Sequence, residues 1–159
     1  MKYIKLIIIA VIIIAVDQMT KRIIINNFSL FESVSVIDGF FNLIYLQNPG
    51  GAFSFFAEKS VLLRNIIFKI LPMIVIFLLF VFYKTVPSSY KFLNFGLSLI
   101  ISGAIGNLID RFVFGFVIDF LDFYIKNIHW PAFNVADSAI SIGIVMVLIS
   151  SFTKKSSFA

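Results

Sequence analysis

Four of the eight acidic residues in this chain, Asp17, Asp110, Asp119 and Asp137, lie inside or beside long apolar runs. A carboxylate at membrane depth costs roughly 2.5–3.5 kcal/mol, so each of these needs a partner or a task. Asp119 and Asp137 fall in two short polar-aromatic stretches, VIDF and FNVAD, near the start of the last apolar run. Two carboxylates that meet in a poorly hydrated site can divide the work of hydrolysis. One takes a proton from water while the other gives one to the leaving group. Asp119 is set among Val117, Ile118 and Phe120, apolar surroundings that favour its protonated form. Spacing alone leaves three roles open for the pair: a hydrolytic dyad, a proton relay, or a structural contact.

Other polar residues are placed to support these two. Asn134, Asp137, Ser138 and Ser141 share one helical face, and Ala136 lies beside Asp137. Asn107 precedes Asp110 and Arg111 by three and four residues at the end of the third apolar run. Arg111 stays charged at any accessible pH and can orient a carboxylate or a substrate carbonyl; a buried Asp110–Arg111 brace is the structural alternative. Asp17 and Lys21 are four apart with the acid first, the better order for a helical ion pair. Ser98, Ser102 and Gly106 make a small-residue stripe of the kind that lets membrane helices approach closely. Asn48, Gly50 and Ala52 come in NPGGAF, an irregular segment whose backbone is free to approach a ligand.

The elements that must position these residues follow from composition. The chain is 60% hydrophobic and 13% charged over 159 residues, with a mean hydropathy of +1.05, which excludes a soluble globule and a disordered chain. There is no cysteine and one histidine, His129, so thiolate catalysis, disulfides and multi-histidine metal sites are excluded. The net charge of +5 comes from basic residues scattered at the ends of apolar runs, which fits bilayer anchors rather than nucleic-acid binding. Four runs, at about 4–25, 61–83, 92–114 and 134–152, are long enough to cross a bilayer. The first looks like a signal peptide but lacks a cleavage site, and its helical pattern continues through Asp17 and Lys21. Pro72 kinks the second run. Between the first two runs, about 28–60, SVSV and FFNLIYLQN flank Asp38-Gly39 and predict a β-hairpin. Residues of about 115–133, which hold Asp119, Asp122, His129 and Trp130, form a loop broken by Pro131. His129 and Trp130 read as interfacial residues. The expected fold is therefore an all-α integral membrane protein, one domain over residues 1–159, with four helices and a small β-hairpin.

Lysine and arginine do not settle orientation. Lys2, Lys5, Lys84, Lys91, Lys154 and Lys155 lie on one side, six residues with no acid among them; the other side carries seven basic residues. Both termini are expected in the cytoplasm, with the hairpin on the opposite face.

Laid out in order, the motifs DQMTK at 17–21, NPGGAF at 48–53, GAIGNLIDR at 103–111, VIDF at 117–120 and FNVAD at 133–137 resemble those of the lipoprotein signal peptidases (signal peptidase II). The resemblance covers essentially the whole chain. It implies a bacterial inner-membrane aspartic endopeptidase that cuts diacylglyceryl-modified prolipoproteins just before the lipidated cysteine, with neither metal nor cofactor. The implied catalytic pair is Asp119 and Asp137. Asn107, Asp110, Arg111, Asn134 and Ala136 would support it, and Asn48, Gly50 and Ala52 would line the substrate cleft. Asp17 and Lys21 are implied to be a structural pair. The resemblance further implies a β-cradle on the outer surface, a mobile outer segment between helices three and four, cytoplasmic termini, and a monomer among membrane lipids. The alternative class is a small proton-coupled carrier, which should show paired broken helices or internal symmetry; neither is visible in the sequence.

Overall fold

The structure, a computed structural model, describes residues 1–50, 63 and 65–155. Ala52, Lys59 and Arg64 lie outside the described residues. Among the described residues, four apolar helices and a small four-stranded antiparallel sheet make up the fold, so the four expected helices are present and the expected hairpin is part of a larger sheet. Helix α1 is Lys2–Asn27. Strands β1 (Ser33–Ile37) and β2 (Phe41–Asn48) follow. A π-helical turn, Ile66–Ile70, leads into α2, Leu71–Thr85. Helix α3 is Lys91–Val113, β3 is Val117–Ile125, β4 is Ile128–His129, and α4 is Val135–Lys155.

Each helical stretch is long and apolar enough to cross a bilayer, but the four differ in what surrounds them. In α3, 56% of the most apolar window is buried, against 17% or less in the other three. Helix α3 is therefore the centre of the bundle, and the others turn apolar faces outward, as with Ile8 and Ile12 of α1 or Phe77 and Leu78 of α2. The closest partner of α3 is α4. Ser98 and Ser102 of the expected stripe are buried, each donating its hydroxyl to the carbonyl four residues back. The helices approach tightly beside that stripe: a Cβ on Gly103 would run into the Ala136 carbonyl oxygen, and one on Gly143 would stand 2.6 Å from the Gly96 carbonyl oxygen. The π turn, absent from the sequence reading, immediately precedes the kink site at Pro72, which has no N–H to give to a regular helix.

The predicted Asp38-Gly39 hairpin is β1–β2, paired from Ser33↔Ile44 to Ile37↔Phe41. The segment expected as a loop at 115–133 is instead mostly strand. Helix α3 ends at Val113 with Phe114 as its C-cap, and Gly115, at φ +83°, takes the left-handed turn that releases the chain into β3. Strand β3 pairs with β2 from Phe41↔Phe123 to Asn48↔Val117, with an irregularity between Leu43 and Leu46.

Two apolar clusters bracket the bundle. One, around Leu6, Tyr83, Val86, Leu97 and Ile101, joins the start of α1 to the end of α2 and the start of α3. The other, around Ile24, Tyr45, Ile118 and Phe120, seats the sheet on the far end of α1. Lys2 donates to the carbonyls of Tyr83 and Val86 at the first end. The N-terminus and the end of α4 thus lie opposite the sheet.

Candidate active site

Between the sheet and the bundle, Asp119 and Asp137 are brought together by the start of α4. Asn134 immediately precedes this helix, and its Oδ1 accepts the Asp137 N–H at 2.9 Å while Asp137 Oδ2 accepts the Asn134 N–H at 3.3 Å. That reciprocal pair is a capping box, which satisfies two backbone donors at the helix start. The same Asn134 turns its Nδ2 to Asp119 Oδ1 at 2.8 Å. One fully buried residue therefore links both carboxylates, through its side-chain Nδ2 to Asp119 and its backbone N–H to Asp137.

The remaining oxygens are also held. Asp137 Oδ1 accepts Asn107 Nδ2 at 2.7 Å. Asp119 Oδ2 accepts Asn48 Nδ2 at 2.9 Å, because the β2–β3 register sets Asn48 diagonally across from Asp119 on one face. Asn48 is fixed in turn by Gly50, whose N–H donates to its Oδ1 at 3.0 Å. Gly50 has φ +102°, and a Cβ there would run into the Phe68 ring, so glycine is required twice over. Burial pushes the Asp119 carboxyl up to about 6; the Asn48 bond opposes that rise and the nearby Asp137 charge adds to it. The apolar setting of VIDF predicted the direction.

Arg111 does not form the brace with Asp110. Among the described residues its Nη1 reaches the Asn107 carbonyl, at 3.5 Å, and its guanidinium lies 6.0 Å from the Phe68 ring centre. Its Nε is buried without a partner among the described residues. Asp110 turns instead to Lys21, at 2.7 Å. Lys21 also pairs with Asp17 at 2.9 Å, as the helical spacing predicted. Gln18, which the sequence reading did not single out, donates to Asp110 Oδ1 at 2.8 Å. Its only signal was its position inside DQMTK.

Asp122 and His129 belong elsewhere. Asp122 is three residues from Asp119 on β3 and so faces the other side of the strand. There it accepts Asn42 Nδ2 at 2.9 Å and pairs with His129 Nδ1 at 2.8 Å. Trp130 is exposed. Ala52 of the expected cleft lies in the undescribed segment.

Helices long and apolar enough to cross a bilayer, and two linked carboxylates where they meet a small sheet, define a class: an integral membrane protein with a buried carboxylate pair at one end. The comparisons give the family. Residues 9–153 match the model for signal peptidase II. The chain is 49% identical to the lipoprotein signal peptidase of Desulforapulum autotrophicum over 90% of this chain and 88% of that one. It is 43% identical to that of Syntrophus aciditrophicus over 91% and 89%. Among solved structures it resembles a bacterial membrane enzyme determined in meso at 2.3 Å resolution, with TM-score 0.85 and 33% identity over 96% of this chain and 90% of that one. The chain belongs to the signal peptidase II family.

Proposed function

We propose that this protein removes signal peptides from prolipoproteins by hydrolysing the bond just before the diacylglyceryl-modified cysteine, with Asp119 and Asp137 as the catalytic pair. The observation that carries the reading is the double tether of Asn134, which holds both carboxylates at one point of a signal peptidase II chain. In the working state the pair shares one proton. The ionised carboxylate takes a proton from the attacking water as the new C–O bond forms, and the protonated one delivers its proton as the C–N bond breaks and the amine leaves. Asn107 and Asn134 keep the carboxylates aimed, and Arg111 meets the negative charge that develops on the scissile carbonyl oxygen. Asn48 and Gly50 line the cleft.

The enzyme works from the bacterial cytoplasmic membrane with both termini inside and the sheet and site at the outer face. Support comes from the acid-free lysine end lying opposite the sheet. The diacyl chains enter laterally from lipid. One chain supplies every residue of the site, so a monomer suffices. Nothing in the fold or in the relatives supports the carrier alternative.

The test is to incubate the purified protein in detergent with the same prolipoprotein in diacylglyceryl-modified and unmodified forms, and to read the cut site by mass spectrometry. Cleavage of the modified form alone, immediately before its cysteine, is expected. A properly modified substrate left intact contradicts the proposal.

A further inference from the structure

Lys21 is 1% exposed, and its ammonium has three acceptors for its three protons: Asp110 Oδ2 at 2.7 Å, Asp17 Oδ2 at 2.9 Å and Asn107 Oδ1 at 3.1 Å. A tie between α1 and α3 would need only the Asp110 contact. Gln18 and Asn134 also donate into this cluster, and three further bonds run from it to the proposed dyad or to the residue preceding one of its members. Asp17 Oδ1 accepts the N–H of Ala136, the residue before Asp137, at 2.9 Å. That N–H is in the first turn of α4 and has no partner within the helix. Asp110 Oδ2 accepts the N–H of Ile118, the residue before Asp119, at 3.3 Å. Asn107, its oxygen turned to the ammonium, presents its Nδ2 to Asp137 Oδ1 at 2.7 Å.

The geometry points to Lys21 as a positioning residue for catalysis: one ammonium holds the two carboxylates that fix the backbone before each member of the dyad, and sets the amide that aims Asp137. A flipped Asn107 would place its oxygen against the Asp137 carboxylate, and the Lys21 ammonium opposes that flip together with Asn134, whose Nδ2 donates to the same Asn107 oxygen at 3.2 Å. Misplacement of a reacting group by about 1 Å can cost on the order of 100-fold in rate, so the bracket needs to be stiff. Gly106 belongs to it as well, since a Cβ there would lie 2.8 Å from Asp17 Oδ2. This inference rests on the reading of Asp119 and Asp137 as the reacting pair.

It is tested with Lys21→Met, with the charge-balanced double variant Asp17→Asn/Lys21→Met, and with Lys21→Arg, all beside Asp119→Asn. The assay is cleavage of the modified prolipoprotein across a range of pH. We expect kcat to fall about 100-fold in Lys21→Met and in the double variant, with KM within about twofold of the wild type because Lys21 touches no substrate. Lys21→Arg should recover part of the loss. The groups facing the ammonium are Asp17 from α1, Asp110 from α3, Asp137 from α4 and Asp119 from β3, with Arg111 the other cation nearby. Without Lys21, Asp119 holds its proton to higher pH, so the acid limb of the rate profile should move upward. If Lys21→Met does not fold, the double variant decides on the same readings. A folded double variant with wild-type kcat and an unmoved acid limb overturns the inference. An active Asp119→Asn would instead overturn the dyad reading beneath it.

Discussion

At the scale of single residues, Asp119 is the group whose surroundings work most strongly against its charge. Its carboxyl rises from an ordinary 3.8 to about 6 through burial. The folded protein therefore binds this proton more tightly than the unfolded chain does. Stability from this group is full below about pH 4 and is lost as pH rises through about 6, a difference of about 3 kcal/mol. Asp119→Asn removes that charge. Thermal melting in detergent should show the variant matching the wild type near pH 4 and melting higher than it near pH 7.5; a variant that melts lower at the higher pH contradicts this account of Asp119. The residues of this site were largely legible along the chain, because Asn107, Asp110, Asn134 and Asp137 fall in short motifs at helical spacing. Their partners were not. That Asp110 turns to Lys21 rather than to its neighbour Arg111 depends on how α1 lies against α3. Asn48 reaches Asp119 only through the β2–β3 register. Neither follows from linear spacing.

At the scale of elements, α1, α3 and α4 lie close to the runs read from hydropathy, the expected start of the second run lies outside the described residues, and β3 was missed. Its first four residues, Val117–Phe120, are all buried, so the strand shows no alternation between apolar and polar positions and resembles a short apolar loop. The β1–β2 hairpin was visible because its turn carries Asp38-Gly39. The small-residue stripe was placed on the right helix, yet close contacts with α4 also lie beside it, Gly103 against Ala136 and Gly96 against Gly143, pairs that only the crossing of α3 and α4 brings together. Gly143→Leu should therefore push α4 off α3, at a cost of about 1–3 kcal/mol. Because Asp137 rides on the first turn of α4, peptidase activity should fall by at least about tenfold. Melting temperature and cleavage rate measured on one preparation check both effects. Wild-type activity in this variant would mean that the position of α4 does not set the site.

At the scale of the whole molecule, charge along the chain left orientation undecided at six basic residues against seven. The fold supplies the missing reason. Lys21 and Arg111 belong to the site region rather than to membrane anchoring, so a count that includes them mixes two tasks. The absence of cysteine makes topology easy to measure with single introduced cysteines. Ser88→Cys, in the α2–α3 connection, should resist an impermeant thiol reagent in intact cells, whereas Lys126→Cys, between β3 and β4, should react. The reverse pattern would place the site on the cytoplasmic face. The central claim is narrower: two aspartates, brought together by Asn134, perform the hydrolysis. Its most direct test is single-turnover cleavage of a diacylglyceryl-modified prolipoprotein by the wild type, Asp119→Asn and Asp137→Asn, each shown to be folded by its melting curve. The account predicts a loss of about 1,000-fold or more in both variants, with cleavage by the wild type immediately before the modified cysteine. Near-full activity in either folded variant would contradict it.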